Sequence, residues 1–397
     1  MFESIYFLCV RIAALFNRKA RSLSHGERGA LNHLKEHIRQ NERYIWFHAA
    51  SVGEFEQARP IMERIRQCHP EKKILLTFFS PSGYELRKNY SGVDVVAYLP
   101  FATKRKVQRF LDIVHPEMAV FVKYEFWPNY LKQLHKRAIP TYLIAGIFRP
   151  SQVFFSWYGR GYRKCLTYFT HLFLQDEDSA NLLAKYEIHN STVCGDPRFD
   201  RVVEIAQEAK HLPVLQQFAQ GALVIVAGST WLPDEELLAR YFQENEDVKL
   251  VIVPHEIDKH HLHAIYHLLH GRYVRYTEAT AQNLEFARCL VVDTVGILSS
   301  IYRYATVAYV GGGFGVGIHN TLEAAVYGCP VVFGPNYEKF REAHGLIACG
   351  GAYSVKNYKM FKSVMDGLLQ DPQNNNSRRY VVENCGATEV IYKAIMK

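Results

Sequence analysis

The sequence has no cysteine pair with C-x-x-C spacing, since its eight cysteines are scattered along 397 residues. This spacing argues against zinc ribbons and thioredoxin-type redox motifs, and it favours a reducing compartment with unpaired thiols. The G-x-x-x-x-G-K-[ST] pattern of a P-loop and the H-E-x-x-H pattern of zinc proteases are also absent. No aromatic motif of the RRM or OB type indicates base stacking with a nucleic acid.

Acidic residues are too few to balance the basic residues in the first half of the chain. Residues 1–206 contain 30 Lys and Arg but 20 Asp and Glu, a net charge of +10, whereas the whole chain carries +8. The first half should therefore attract an anionic partner, such as a nucleic acid, an acidic lipid or a phosphorylated substrate. A solvated basic surface without a partner is the alternative.

The N-terminal segment is too short to span a bilayer comfortably. Its apolar run from Ile5 to Phe16 is interrupted by Arg11, and roughly 20 apolar residues are needed for a span. Arg18 and Arg21 follow the run and no small-residue cleavage site is obvious, which argues against a signal peptide. We expect residues 1–22 to form a membrane-associated helix, although a helix that docks on the protein core fits the same pattern.

Short apolar runs alternate with helical patterns from residue 44 onwards. This alternation predicts the α/β class, with parallel sheets covered by helices on both faces. The first series of predicted strands is YIWFHAA (44–50), KILLTFF (73–79), VDVVAYL (93–99), EMAVFV (117–122), PTYLIAG (140–146), THLFLQ (170–175) and NSTVCG (190–195). The intervening segments 53–68, 103–115 and 126–137 are predicted helices.

A second series of strands follows a strand-free segment, residues 206–221, which we interpret as the crossing between two domains. Its predicted strands are ALVIVAG (222–228), VKLVIVP (248–254), CLVVD (289–293), TVAYVGG (306–312) and CPVVFG (329–334). Two doubly wound domains, residues 44–206 and 221–375, agree with a length beyond one ordinary core. We expect residues 376–397 to form a C-terminal helix that crosses back to the first domain.

In open α/β sheets ligands bind beyond the carboxyl ends of the strands, so the strand-to-helix loops are candidate sites. In "HAASVGEFEQ" we expect Gly53 to allow a sharp turn and Glu54 to lie in the first turn of a helix. The positive helix end favours the ionised carboxylate there, which could act as a general base or merely stabilise the helix.

Two loops of the second series could hold a phosphate. In "VAGSTWLPDEELL" we expect the strand to end at Ala227, so that the next three residues cap a helix or bind an oxyanion. In "VAYVGGGFGVGIHNTLEAAV" five glycines lie within residues 311–317, ahead of a helix predicted to begin near His319. Such a turn suits a phosphate, and Glu323 on that helix could bind the hydroxyls of a ribose.

Three further stretches carry possible site residues. "HEIDKHHLHAIYHLLH" places six histidines on one predicted helix, whose spacing allows a metal site but fits a solvated helix face better. Glu125 in "FVKYEFWPNYL" follows a strand and could be a second site carboxylate or a structural cap. Arg198 in "CGDPRFDR" could face an anionic ligand or solvent.

Several of these stretches together resemble the Kdo (3-deoxy-D-manno-octulosonic acid) transferase family of lipopolysaccharide biosynthesis. They occur in family order from about residue 44 to 343: WFHAASVGE, YEFWPN, GDPRFD, AGSTW, DTVGILSSIYRYATVAYVGGGFGVGIHNTLEAAVYGCPVVFGP and NYEKFREA. The resemblance implies a GT-B glycosyltransferase, with two Rossmann-like domains facing across a cleft. It implies that the first domain takes a phosphorylated lipid A precursor (lipid IVA) and the second takes CMP-Kdo. Family members are held to the cytoplasmic face of the inner membrane.

The resemblance also assigns roles to residues, without a metal or a cofactor. Glu54 matches the catalytic base and Glu125 the second acid of the family's E-x-E-x-W-P motif. We expect acceptor binding by Ser51, Gly53 and Arg198. We expect donor binding by loop residues of the second domain, namely Gly228, Ser229, Thr230, His255, Lys259, Gly311, Gly312, Gly313, Asn320 and Glu323.

The sequence departs from the family motifs at three places. Lys123 replaces the first acid of E-x-E-x-W-P, and Ile297 replaces the glutamate of D-T-x-G-E-L. The segment 254–259, PHEIDK, stands where the family has P-R-H-P-E-R, so the arginine expected to contact the donor is missing. We therefore take Lys259 as the candidate cation for the CMP phosphate.

The expected reaction is an inverting transfer in which Glu54 removes a proton from an acceptor hydroxyl. Two other functions fit parts of the pattern. One is a GT-B enzyme with a different donor, either a UDP-sugar transferase or a nucleotide-sugar epimerase. The other is a non-enzymatic protein that binds anionic lipid or nucleic acid through its basic half.

Overall fold

The chain forms two compact units in the computed structural model, which describes residues 7, 12–13, 15–371 and 375–397. The first unit comprises Met1–Asp200 and Cys385–Lys397, and the second comprises Arg201–Asn384. Each unit contains a seven-stranded sheet whose strand pairs are all parallel. The α/β class predicted from alternating strands and helices is therefore confirmed.

The first sheet has the strand order β3-β2-β1-β4-β5-β6-β7. Its strands are β1 (Tyr44–Ala49), β2 (Lys73–Phe78), β3 (Val95–Tyr98), β4 (Pro116–Val122), β5 (Thr141–Gly146), β6 (His171–Leu174) and β7 (Ser191–Val193). Its helices are α1 (Arg18–His37), α2 (Val52–Cys68), α3 (Pro81–Arg87), α4 (Lys104–Val114), α5 (Pro128–Lys136), α6 (Arg160–Arg163) and α7 (Glu177–Ala184). All seven predicted strands of this series are present.

Strand β1 is buried along its whole length because hydrophobic layers cover both faces of the sheet. Tyr44 and Trp46 pack into the layer on one face, while Ile45 and Phe47 pack into the layer on the other. This alternation follows from the two-residue period of a strand. A continuous apolar run is the pattern typical of a central parallel strand.

The second sheet has the strand order β10-β11-β9-β8-β12-β13-β14. Its strands are β8 (Leu223–Thr230), β9 (Val248–Pro254), β10 (Val274–Arg275), β11 (Cys289–Val291), β12 (Val307–Val310), β13 (Val331–Phe333) and β14 (Ala352–Ser354). The five predicted strands are present, but β10 and β14 were missed. Both are outermost strands of two or three residues, which are too short to show a period.

The helices of the second unit lie between these strands. They are α9 (Pro213–Ala219), α10 (Leu232–Glu244), α11 (Lys259–Leu268), α12 (Ala281–Phe286), α13 (Leu298–Ile301), α14 (Leu322–Ala325), α15 (Arg341–Ala348), α16 (Tyr358–Gln370) and α17 (Asn376–Glu383). Helix α8 (Arg198–Gln207) contains the boundary between the units. Helix α9 falls within the strand-free segment 206–221.

The C-terminal segment 376–397 contains two helices, α17 in the second unit and α18 (Ala387–Ile395) in the first. They are separated at Gly386, whose φ of 114° is a left-handed conformation that favours glycine. Asp200 accepts hydrogen bonds from the backbone N–H and the hydroxyl of Thr388, at 2.8 and 2.7 Å. Ile391 and Ile395 then pack into the core of the first unit.

Most of the predicted membrane helix, residues 1–22, lies outside the described residues. Where it is described, the apolar side chains of Leu15 and Phe16 are 68% and 86% exposed. Phe7 instead is buried against the ring of Phe101, with a centroid distance of 4.4 Å. Among the residues that the structure describes, no helix has the length and apolarity needed to cross a membrane.

In each sheet, strand addition crosses once from one side of the first strand to the other. In the first sheet the chain adds β2 and β3 on one side of β1 and then returns to add β4 on the other. In the second sheet the same reversal separates β8 from β12. Ligands of open parallel sheets bind at such switch points, outside the carboxyl ends of the strands. The loops after β1, β4, β8 and β12 are therefore where a site is expected.

Candidate active site

Two carboxylates meet at the switch point of the first sheet. Because β1 and β4 are parallel neighbours, the residues that follow them emerge at the same edge. Glu54 lies in the first turn of α2, after β1, and Glu125 lies in the loop after β4. Both are largely buried, with 9% and 8% exposure, and the negative charge of Glu125 acts on Glu54. The structure thus brings together the two residues predicted to be catalytic.

Glu54 holds its proton more tightly than an ordinary glutamate. Burial raises its pKa most, and the charge of Glu125 raises it further, to about 8. The backbone N–H of Ala50 donates a 2.5 Å hydrogen bond to Glu54 Oε2, and this bond and the nearby Lys123 oppose the rise. The expectation that a helix N-terminus would keep Glu54 ionised is therefore wrong, because burial and a second carboxylate outweigh the helix dipole.

Glu125 is fixed by two donors that the sequence analysis did not single out. Trp127 Nε1 donates to Glu125 Oε2 at 2.7 Å, and His48 Nε2 lies 2.9 Å from the same oxygen. His48 is fully buried, and its Nδ1 lies 2.9 Å from Thr77 Oγ1. If Nε2 carries the proton toward the carboxylate, Nδ1 accepts from the threonine hydroxyl. The signal available in the sequence was a single histidine within the apolar strand YIWFHA.

Ser51 and Gly53 lie at the start of α2. Ser51 is the N-cap residue of α2, but its side chain makes no capping hydrogen bond. Gly53 lies inside the helix rather than in a sharp turn, and an added Cβ would meet only Ser51 Oγ, at 4.0 Å. The prediction of a sharp turn at Gly53 is therefore wrong. The glycine instead leaves open space beside the first turn that carries Glu54.

Arg198 is held by a neighbouring carboxylate. Its Nε and Nη2 donate to Asp196 Oδ2 at 3.0 and 2.9 Å, and Gln57 Nε2 donates to the same oxygen at 2.9 Å. Burial of Asp196 raises its pKa, but the charge and hydrogen bonds of Arg198 outweigh burial and lower it overall. The Arg198–Asp196 pair ties the start of α8 to helix α2.

In the second unit a buried aspartate supports the glycine-rich loop after β12. Asp234 accepts from the hydroxyl of Tyr309 at 2.7 Å, from the backbone N–H of Gly312 at 2.9 Å, and from that of Trp231 at 3.0 Å. Gly312 has a φ of 89°, and a Cβ on Gly313 would lie 2.6 Å from the backbone nitrogen of Gly334. The loop therefore needs glycine for its own conformation and packing.

The two predicted phosphate loops differ in detail from expectation. Strand β8 continues through Gly228 and Ser229 to Thr230, and α10 begins only at Leu232. The Thr230 hydroxyl is buried and donates to Glu235 Oε1 at 2.7 Å. After the glycines no helix begins near His319, since α14 starts at Leu322 and has four residues. The strand end at Ala227 and the helix start near His319 were thus predicted wrongly.

Asn320 and Glu323 are paired beside the glycine loop. Asn320 Nδ2 donates to Glu323 Oε1 at 2.9 Å, while its Oδ1 accepts from the backbone N–H of Leu322 at 3.1 Å. Glu323 lies on α14, as predicted. The pair presents an oriented amide and carboxylate at the edge where a nucleotide is expected.

A cluster of aromatic rings borders the same loop. The rings of His255 and His319 stack at 4.3 Å, and Trp231 Nε1 donates to His319 Nε2 at 3.2 Å. Burial, followed by the charge of His255, lowers the pKa of His319 to about 4. His319 is therefore neutral at physiological pH, in agreement with its role as an acceptor for Trp231. No role was predicted from the sequence for Trp231 or His319.

The histidine-rich segment carries fewer helical histidines than predicted. Helix α11 spans Lys259–Leu268, so His255 precedes it and His270 follows it. No group of residues suited to a metal ion occurs in the part of the chain that the structure describes. Lys259 is exposed and lines a surface depression together with His260 and His263.

Comparison with known proteins finds similarity to Kdo transferases. The family described as "3-Deoxy-D-manno-octulosonic-acid transferase (kdotransferase)" matches residues 24–201. The 3-deoxy-D-manno-octulosonic acid transferase of Aquifex aeolicus is 28% identical over 343 residues, which cover 84% of this chain and 88% of that protein. The corresponding transferase of Rickettsia bellii is 25% identical, covering 96% and 91%. The chain is thus similar to Kdo transferases over most of its length.

The similarity to Kdo transferases shows that the protein is a glycosyltransferase, as the motifs predicted. Its fold is shared with more distant proteins. The UDP-GlcNAc 2-epimerase of Neisseria meningitidis superposes with a TM-score of 0.60 at 14% identity, covering 89% of this chain and 99% of that one. Such a low identity supports the fold alone. The predicted GT-B class, with two Rossmann-like domains, is confirmed.

Proposed function

We propose that the protein is a member of the Kdo transferase family and moves Kdo from CMP-Kdo to a phosphorylated lipid A precursor such as lipid IVA, in lipopolysaccharide biosynthesis. The observation that carries the proposal is the Glu54–Glu125 pair at the switch point of the first sheet. A carboxyl with a pKa of about 8 has a proton affinity suited to general base chemistry near neutral pH. A protein that only binds lipid or nucleic acid does not require such a pair.

The proposed chemical step is an inverting displacement. The ionised Glu54 takes the proton of an acceptor hydroxyl, and the acceptor oxygen forms a bond to the anomeric carbon of Kdo. The bond from that carbon to the phosphate oxygen breaks, and CMP leaves with the electron pair. Glu125 is the proposed second catalytic residue, and His48 and Trp127 fix its position. Ser51, Gly53 and Arg198 are proposed to border the acceptor.

The second unit is proposed to bind the donor. Backbone N–H groups of the loops after β8 and β12 would donate hydrogen bonds to the CMP phosphate. These fixed dipoles would stabilise the negative charge of the leaving group without a divalent metal. The proposed residues are Gly228, Ser229, Thr230, His255, Lys259, Gly311, Gly312, Gly313, Asn320 and Glu323. The Asn320–Glu323 pair supports a role in binding ribose hydroxyls, and Lys259 is the proposed cation.

The protein is proposed to work at the cytoplasmic face of the inner membrane. Ile12, Leu15 and Phe16 present exposed apolar side chains, at 52%, 68% and 86%, directly before basic residues. Apolar side chains next to positive charge suit the boundary between acyl chains and anionic headgroups. The same basic half of the chain would attract an anionic acceptor.

The decisive test is incubation of the full chain with CMP-Kdo and a lipid A precursor, followed by mass measurement of the lipid. A mass gain of one or more Kdo residues is expected, with and without a metal chelator. No change in the lipid would overturn the proposal. A parallel titration with CMP and UDP separates the other candidate donors, since preferential UDP binding would indicate a UDP-sugar enzyme.

A further inference from the structure

A large cavity lies in the first unit, next to the carboxylate pair. Its volume is about 970 Å³, and its wall includes Glu125, Trp127, Lys132, Gly161 and Lys164. Pockets of 300–1,000 Å³ are typical for small-molecule ligands. We call it the aromatic cavity, because six aromatic side chains contribute to its lining: Tyr124, Phe126, Trp127, Tyr158, Tyr162 and Tyr168.

The wall of the aromatic cavity combines aromatic rings with positive charge. Lys132 on α5 and Lys164 at the start of the short 3-10 helix after α6 both line it, and both are exposed. Neither ammonium group forms an ion pair with a carboxylate in the described part of the chain. Glu125 is the one acidic residue in the lining, and it already accepts hydrogen bonds from Trp127 and His48. The two lysines are thus available to an anionic ligand.

The cavity is connected to the proposed chemistry through Glu125, which belongs both to its wall and to the carboxylate pair. Its outer rim carries Tyr158, which is 66% exposed, and the adjacent Trp157 is 93% exposed. Tryptophan and tyrosine are enriched where proteins meet the membrane interface. A ligand with an anionic sugar and an apolar tail fits this arrangement, with the sugar in the cavity and the tail against the exposed aromatic rim.

We propose that the aromatic cavity binds the phosphorylated sugar headgroup of the acceptor, with Lys132 and Lys164 contacting its phosphate. Aromatic rings pack against the C–H faces of a sugar, and ammonium groups form charge-assisted hydrogen bonds with phosphate oxygens. The assignment rests on the proposed function, because it places the acceptor hydroxyl near Glu125 and its partner Glu54.

Two sets of variants test this site in the full-length protein. The first removes the charges, with Lys132→Ala combined with Lys164→Ala. Its matched control is Lys136→Ala combined with Lys185→Ala, which removes two lysines that do not line the cavity. The second is Gly161→Phe, since a Cβ at Gly161 meets nothing within 4 Å and a large side chain can enter the cavity without displacing the backbone.

The readouts are the KM for lipid IVA, the KM for CMP-Kdo and kcat. For the double lysine variant we expect a rise of about tenfold or more in the acceptor KM, the scale of a lost charge-assisted contact, with donor KM and kcat unchanged. With an acceptor whose phosphates have been removed, the double lysine variant and the wild type should have the same acceptor KM. If the effect came only from the loss of surface charge, the control variant would show the same rise in acceptor KM. Gly161→Phe should raise the acceptor KM for both acceptors.

Failure of this inference can be distinguished from failure of the proposed function. If the wild type transfers Kdo but the double lysine variant keeps its acceptor KM, the cavity assignment is overturned alone. If the wild type transfers nothing, the proposed function fails, and binding of lipid IVA is then measured through tryptophan fluorescence. Lysine-dependent binding in that assay would still support the cavity as a phosphosugar site, and lysine-independent binding would overturn it.

Discussion

Replacing Glu54 with glutamine tests the electrostatics of the carboxylate pair together with the proposed base. Glutamine keeps the size of the side chain and an acceptor oxygen for the backbone N–H of Ala50, but it cannot ionise. In the wild type, burial and then the charge of Glu125 raise the pKa of Glu54 from 4.5 to about 8. Between these values the folded chain therefore holds a proton that the unfolded chain has lost.

This difference predicts that stability falls as pH rises. Through Glu54 alone, the free energy of unfolding of the wild type decreases by about 1.4 kcal/mol per pH unit between about pH 4.5 and 8. The interval of about 3.5 pH units gives a loss of at most about 5 kcal/mol, complete above pH 8. Glu54→Gln removes this contribution, so the variant should gain stability relative to the wild type from pH 5 to 8.

The assay is urea unfolding at pH values from 5 to 9, followed by circular dichroism. Glu56→Gln is the matched control, because Glu56 lies on the same helix in a half-exposed ion pair with Arg87, at 3.0 Å. Parallel stability profiles for Glu54→Gln and the wild type would refute the raised pKa.

In the transfer assay, Glu54→Gln should reduce the rate by about 10²- to 10⁴-fold, the usual contribution of a general base. The wild-type rate should rise with pH through about 8, as Glu54 loses its proton. A folded glutamine variant that transfers at a near-normal rate would refute the catalytic role of Glu54, whatever its stability profile.

Three further predictions concern His48, Asp234 and the N-terminal segment. His48→Gln should weaken the hold on Glu125 and reduce kcat about tenfold, the scale of one lost hydrogen bond; an unchanged kcat would contradict this. Asp234→Asn should lower stability by about 1–3 kcal/mol and weaken CMP binding, since the amide cannot accept all three hydrogen bonds. Thermal melts measure the stability and titration with CMP measures the binding. An unchanged melting temperature would contradict the proposed support of the glycine loop by Asp234. Deletion of residues 1–20 should move the protein from the membrane pellet to the soluble extract, and equal partition would count against membrane binding by this segment.

The sheets and their switch points could be predicted from the sequence because they depend on local signals. A central parallel strand is a continuous apolar run bounded by polar loops, and VKLVIVP was placed at its observed limits, Val248–Pro254. The outermost strands Val274–Arg275 and Ala352–Ser354 offer no such run, since two or three half-buried residues carry no period. They exist because a neighbouring strand pairs with them.

The electrostatics of the site could not be predicted, because they depend on residues that are distant in the sequence. The helix N-terminus beside Glu54 is a local feature and favours ionisation. The opposing effects come from burial and from Glu125, which follows a different strand. Likewise, the sequence showed a glycine at position 53 but not the free space beside it, which depends on how the chain packs around the helix.

Burial shifts the pKa values of titratable groups in both candidate sites. Both sites lie at switch points and are partly buried, so both disfavour isolated charges. In the second unit this produces a neutral His319 with a pKa of about 4, which is too weak a base to hold a proton near neutral pH. In the first unit burial acts on a carboxyl instead, and a pKa of about 8 lets Glu54 take up and release a proton in that range. The same physical cause therefore leaves His319 uncharged in the second unit and gives the first unit the carboxyl that we propose as the base for a sugar hydroxyl.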